Sequence, residues 1–253
     1  AVIREITEFG LEEESISSAV TLLDLAQDDQ RYAAEQMERI DALCRIIDNM
    51  QKAADFRPLF SKKRKLFHIG YHVASQTLDS GCYDLLASES ILTSFLAIAR
   101  GDVPVKHWYK LGRPLTMVEG TPAFVSWSGT MFEYLMPNLV MKEYEGSVFS
   151  ETSRAAVRQH IIYGNNRNIP WGVSESQYYR FDLDSNYQYK AFGVPELRLQ
   201  PSIGNPPVAA PYASILALDF APEETIQNLK KLKNMGAYGE YGYYEAVDFN
   251  GPD

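Results

Sequence analysis

Cysteine, histidine and tryptophan are scarce in this chain of 253 residues, which holds two, four and three of them. Two cysteines, Cys44 and Cys82, make no disulfide framework, so a reducing compartment is the default. Their neighbours, ALCRII and SGCYD, predict a core thiol and a loop thiol. His68 and His72 lie in LFHIGYH, an extended segment where four residues separate them by roughly 13 Å, too far for one metal ion. Glycine-rich phosphate loops, dinucleotide fingerprints and the G-x-S-x-G elbow are absent, so neither metal nor cofactor is expected. FDLDSN, with Asp182 and Asp184, lacks the other ligands of a calcium loop and predicts a polar turn. No apolar run reaches the roughly 20 residues of a membrane span, and no signal peptide is visible. The start at Ala1, already entering a helical pattern, predicts an excised piece. Lys and Arg (24) are outnumbered by Asp and Glu (33), and the net charge of −9 argues against nucleic acid or an anionic membrane as the main partner.

What remains is a globular composition: 45% hydrophobic residues, enough for one large domain or two small ones, and 16 tyrosines, most of them after Tyr134. Residues 1–55 predict a helical pair packing on the rest of the chain. Its second helix carries Ala33, Met37, Ile40, Leu43, Ile47 and Met50 at helical spacing, with Asp28 as N-cap. In residues 56–253 the basic run Lys62–Lys65 predicts a solvated loop. Helices are expected over Asp84–Arg100, Thr130–Leu139, Ser150–Tyr163, Tyr212–Asp219 and Pro222–Met235. The last has Pro in its first turn and Gly236 just past its end. Long aromatic loops separate them: Gly164–Tyr179, Tyr187–Pro211 and Gly236–Phe249. Loops this long are usually functional. Helices alternating with such loops predict an all-α helical barrel, its loops and short hairpins on one face.

Three segments place a glutamate among aliphatic and aromatic residues: CYDLLASES (Glu89), SWSGTMFEYLMP (Glu133) and IPWGVSESQYY (Glu175). Burial raises a carboxyl pKa and makes it a proton donor at neutral pH. On the expected Asp84–Arg100 helix, Glu89 shares one stripe with Leu85, Leu92 and Leu96. Tyr83 and Asp84 open that helix toward the same space. Glu175 projects from a loop or helix start between Trp171 and Tyr178. Glu133 and Glu245 either contact substrate or make structural hydrogen bonds. Trp127, Trp171, Tyr178, Tyr212 and Tyr244 are candidate stacking platforms or hydroxyl donors, since aromatic faces with polar edges suit sugar rings.

The stretches RKLFHIGY, YDLLASESILTSFLAIARGDVPVKHW, LGRPL, SWSGTMFEYLMP, IPWGVSES, YQYKAFGVPEL, APYASILAL and GAYGEYGYYEAVDF resemble the central glycoamylase-like domain of cyclic β-1,2-glucan synthases, in order, over roughly Phe56–Phe249. The resemblance implies an (α/α)6 barrel and a β-1,2-glucan partner, with Glu89 and Glu175 as the catalytic pair. It implies a transglycosylase that closes linear chains into rings by a retaining mechanism. It also implies a place among the other domains of a larger synthase, at the cytoplasmic face of the bacterial inner membrane. Related domains include endo-β-1,2-glucanases. Against that family the chain is expected to be truncated at its C-terminus and its barrel incomplete. An inverting hydrolase and a noncatalytic glucan-binding module are the competing readings.

Overall fold

The structure is a computed structural model describing residues 31–201 and 208–249. The chain divides into two compact units, residues 1–55 and 56–253. In the first, helix α1 (Arg31–Ala53) forms as expected; Asp28 and the helix before it lie outside the described residues. Its apolar stripe is not buried: Ile40, Leu43, Ile47 and Met50 are exposed, and so is Cys44, which is therefore not a core thiol. No other element of that unit is described, so nothing described within it covers the stripe.

The second unit opens with short strands β1 (Phe60–Ser61), β2 (Leu66–His68), β3 (Tyr71–His72), β4 (Thr77–Leu78) and β5 (Cys82–Tyr83). β2 is central to the sheet β1-β2-β5, and β3 pairs with β4. Helix α2 (Ile91–Ala99) leads to the hairpin β6 (Leu115–Val118) and β7 (Thr121–Phe124). Helices α3 (Met131–Leu135) and α4 (Val148–Arg167) follow, then the hairpin β8 (Glu175–Phe181) and β9 (Tyr187–Ala191). Strand β10 (Val208–Ala209), helices α5 (Pro211–Leu216) and α6 (Pro222–Asn234), and strands β11 (Tyr238–Gly239), β12 (Gly242–Tyr243) and β13 (Val247–Asp248) complete it.

The expected all-α fold is therefore corrected. The described chain is mixed, 42% helix and 20% strand, with its strands in several small antiparallel sheets. The cause lies in the segments read as loops. ESQYYRF and YQYKA are rich in aromatic residues, which favour extended backbone, and they pair as strands across the FDLDSN turn. That turn is polar as expected: Asp182 Oδ1 accepts from the N–H groups of Asp184 and Asn186 (2.9 Å each).

The main core gathers Met131, Leu135, Val157, Trp171, Val173, Phe192, Val194 and Leu197, so α3 and α4 pack against the extended runs on either side of the β8–β9 hairpin. Helix α4 is longer than expected. Ser147 caps it, accepting from Ser150 N–H (3.2 Å), and Asn168 ends it in the left-handed conformation at φ 55°. Gly164 does not stop this helix. It is a packing glycine, because a Cβ there would meet the Trp171 Cβ at 2.8 Å.

Candidate active site

Glu89 sits in a turn, not in a helix. Asp84 and Leu86 bond through their backbones to Gly112 (2.6 and 2.9 Å), which holds YDLL extended and delays the helix to Ile91. The expected Leu85–Glu89–Leu92–Leu96 stripe is thus not formed; α2 buries Ile91, Ser94 and Ala97 instead, and Leu96 is exposed. The Ser88–Ser90 turn presents Glu89 half-buried, with Ser88 Oγ donating to its Oε2 (3.1 Å). Tyr83, at the end of β5, is half-buried, whereas the Asp84 side chain is exposed.

Glu175 begins β8. Tyr189, across the hairpin, donates its hydroxyl to Glu175 Oε2 at 2.5 Å. Tyr212 on α5 places its hydroxyl against the Glu175 carbonyl (2.7 Å) and Ser174 Oγ (2.9 Å). Ser174 Oγ in turn accepts from Phe132 N–H (3.1 Å). The glutamate is thereby tied to β9, α5 and α3 at once.

Glu133 is buried and hydrogen-bonded within its own loop. It closes a capping box with Thr130 at the start of α3. Its carboxylate accepts from Ser126 Oγ (2.8 Å), Thr130 N–H (2.9 Å) and Ser128 N–H (3.1 Å). All three donors belong to the SWSGT loop, so Glu133 fixes that loop. The loop presents Trp127, which is 54% exposed.

Electrostatics join these groups. Burial raises the Glu175 carboxyl above its ordinary range, the Tyr189 bond opposes the rise, and the charge of Glu89 adds to it. Burial raises Glu133 as well, against its hydrogen bonds, and Glu89 again adds. The Tyr83 hydroxyl is raised by burial, then by Glu89 and Glu175. Tyr212 is pushed to about 12 by burial, with Glu175 and Glu245 contributing. Glu89 is therefore within electrostatic reach of Glu133, Glu175 and Tyr83, and Glu175 of Tyr83.

Glu245 is exposed and accepts from Gln177 N–H (2.9 Å) with Oε1. With Tyr178 and Tyr244 it borders a cleft of about 480 Å³. A second cavity, about 360 Å³, is walled mainly by apolar surface from residues such as Leu86, Ile91, Phe95 and Phe149, with Ser88, Glu133, Lys142 and Glu143 among its polar lining. Its apolar walls offer little to a hydroxyl-rich ligand. Trp171 is 4% exposed; Asn228 holds its backbone N–H and carbonyl (3.0 and 2.8 Å), so it is a core residue rather than a stacking face. Among the described residues no group of three or more His, Cys, Asp and Glu side chains is placed to hold a metal ion.

Sequence reasoning missed Tyr189, Ser174 and the serines that bind Glu133. The signal for Tyr189 was the alternation of YQYKA opposite ESQYYRF, which pairs Tyr189 with Gln177, diagonal to Glu175.

Two carboxyls coupled to each other and to Tyr83, with two further tyrosines bonded at Glu175, fit a carbohydrate-active domain of glycosidase type. The chain belongs to the glycoamylase family, whose profile, described as "Putative glucoamylase", matches residues 82–252. It is 50% identical over 195 residues to the cyclic β-(1,2)-glucan synthase NdvB of Rhizobium meliloti (strain 1021), a match covering 77% of this chain and 7% of that protein. In fold it is similar to a protein of Bacteroides caccae described in the same words as the family (TM-score 0.62, 18% identity, 83% of this chain and 54% of that one). It is likewise similar to the endo-β-1,2-glucanase of Chitinophaga pinensis (TM-score 0.60, 17% identity, 83% and 53%). The chain thus spans about half the length of these solved structures and a small part of the synthase. No described helix is long and apolar enough to cross a membrane.

Proposed function

We propose that this chain is the sugar-transferring part of a larger synthase at the cytoplasmic face of the inner membrane, closing linear β-1,2-glucan into rings. Glu175 is the nucleophile and Glu89 the acid/base. The observation that carries this reading is the pair of carboxyls coupled to each other and both to Tyr83. The activity named for the Rhizobium relative supports β-1,2-glucan as the substrate.

The Tyr189 hydroxyl stabilises the ionised form of Glu175. In the first half-reaction a Glu175 oxygen attacks the anomeric carbon. The glycosidic C–O bond breaks, and its electron pair leaves with the departing oxygen, which takes the Glu89 proton. In the second, Glu89 accepts the proton of a sugar hydroxyl whose oxygen attacks the same carbon and releases Glu175. When that hydroxyl belongs to the other end of the same chain, a ring closes with the number of glycosidic bonds unchanged. Trp127, Tyr212, Tyr244 and Glu245 supply faces and hydrogen-bond partners to sugar units, while Glu133 acts by holding the Trp127 loop.

The fold shared with an endo-β-1,2-glucanase favours a second reading, hydrolysis with inversion, in which water replaces the sugar hydroxyl. Incubation with linear β-1,2-glucan separates the two by mass spectrometry: rings, lighter than the matching linear chain by one water, support transfer, and short linear products support hydrolysis. Glu89→Gln and Glu175→Gln should each lower turnover by about 10²–10⁴-fold. Glucan binding without turnover would leave only a noncatalytic module.

A further inference from the structure

The outward face of the β8–β9 hairpin continues beyond Glu175. Strand register sets Glu175, Gln177 and Phe181 opposite Ala191, Tyr189 and Tyr187, so these side chains share one face. Burial agrees, because the intervening Ser176 is buried while Gln177 and Tyr179 are exposed. Four residues lead from Glu175 to Tyr179, about 13 Å along the strand. Over Gln177–Tyr179 the strand borders the cleft of about 480 Å³ formed with Tyr187 and residues 235–237 and 244–248.

Tyr179, Tyr187 and Tyr244 stand at this cleft with about half of their surface exposed (47%, 49% and 59%). Two of these rings are braced: Phe181 packs against Tyr187 at 4.5 Å and against Tyr179 at 5.5 Å between centroids. Glu245 stands where the cleft meets the catalytic centre. It accepts from Gln177 N–H, and its charge reaches Tyr189 and Tyr212, the two tyrosines bonded to Glu175. Neither Lys nor Arg lines the cleft, and Glu245 and Asp248 do. An anionic ligand would be repelled there, and a wholly apolar one would leave carboxylates desolvated at a cost. A neutral, hydroxyl-rich chain matches both the flat aromatic faces and the acceptors.

We propose that this cleft is a second glucan-binding site, which holds units of a β-1,2-glucan chain from roughly 7 to 13 Å along the strand beyond Glu175. The inference rests on the β-1,2-glucan reading above. Such a site tethers a long chain while its reacting portion is exchanged at the carboxyl pair.

Calorimetric titration with linear β-1,2-gluco-oligosaccharides, from the disaccharide upward, tests it. Wild-type affinity should climb with chain length. Tyr179→Ala and Tyr187→Ala should weaken long chains roughly tenfold and leave the disaccharide unchanged. Tyr187→Phe, which keeps the ring and removes only the hydroxyl, should retain most of the long-chain affinity. Equal losses at every length, or none, would overturn the second site while leaving the substrate reading intact. If the wild-type protein binds no β-1,2-glucan of any length, both fall together.

Discussion

Glutamates in this chain differ by what donates to them. Glu133 receives hydroxyl and backbone donors from one loop, whereas Glu175 receives one tyrosine hydroxyl across a hairpin. Removing that hydroxyl takes a stabilising bond from the ionised form, so its pKa must rise further. Tyr189→Phe should move the acidic limb of the kcat/KM–pH profile upward by about one unit and lower the rate at neutral pH. An unmoved limb would show that the bond has no part in setting the charge of Glu175. The sequence flagged all three glutamates by their apolar neighbours but could not rank them. The ranking depends on donors such as the Ser128 and Thr130 N–H groups, and every residue type but proline carries one. Trp171 was misjudged for a similar reason: IPWGVSES states its type, not that Asn228, 57 residues on, holds it in the core.

Helices were legible where they carry their own stops. Pro222 and Gly236 bracket α6, whereas α4 runs past the expected stop at Gly164, which packs on Trp171, to Asn168. The helix at Glu89 was overextended because partners remote in sequence, the Gly112 backbone groups, hold Asp84 and Leu86. In the β8–β9 hairpin a bulge between Tyr178 and Phe181 breaks the two-residue alternation by which a sequence shows a strand. One contact locks the hairpin base to the Trp127 loop. A Cβ on Gly193 would meet the Ser128 carbonyl oxygen at 1.8 Å, and Val194 N–H bonds Gly129 O (2.9 Å) in the same place. Gly193→Ala should therefore cost about 2–3 kcal/mol by overpacking and lower the thermal midpoint by several degrees. Gly70→Ala, where a Cβ meets nothing within 4 Å, is the control. Equal melting of the two variants would mean that the loop yields without cost.

Across the second unit, one group links packing to pH. His160 is fully buried in α4 and its ring nitrogens lack a hydrogen bond of good geometry. Burial lowers its pKa from 6.5 to about 3, with the Gly129 backbone opposing. A folded-state value below the unfolded one means full stability above about pH 6.5, lost as pH falls toward 3 at up to about 1.4 kcal/mol per unit. Glu133 and Glu175, raised on folding, act oppositely and lose stability as pH rises through their range. The urea midpoint of wild type should thus fall more steeply between pH 6 and 4 than that of His160→Gln, and parallel curves would remove His160 from the account. At this level the sequence conveyed family and segment order, through motifs that match end to end, but not the strand content, which depends on pairings between segments. The β8–β9 hairpin also limits how such a chain can change. Because side chains alternate, an insertion between Glu175 and Tyr178 must come in pairs or it turns the carboxylate toward the core. Each pair lengthens the arm by roughly 7 Å, so the distance between bond transfer and chain grip can be altered only in discrete steps.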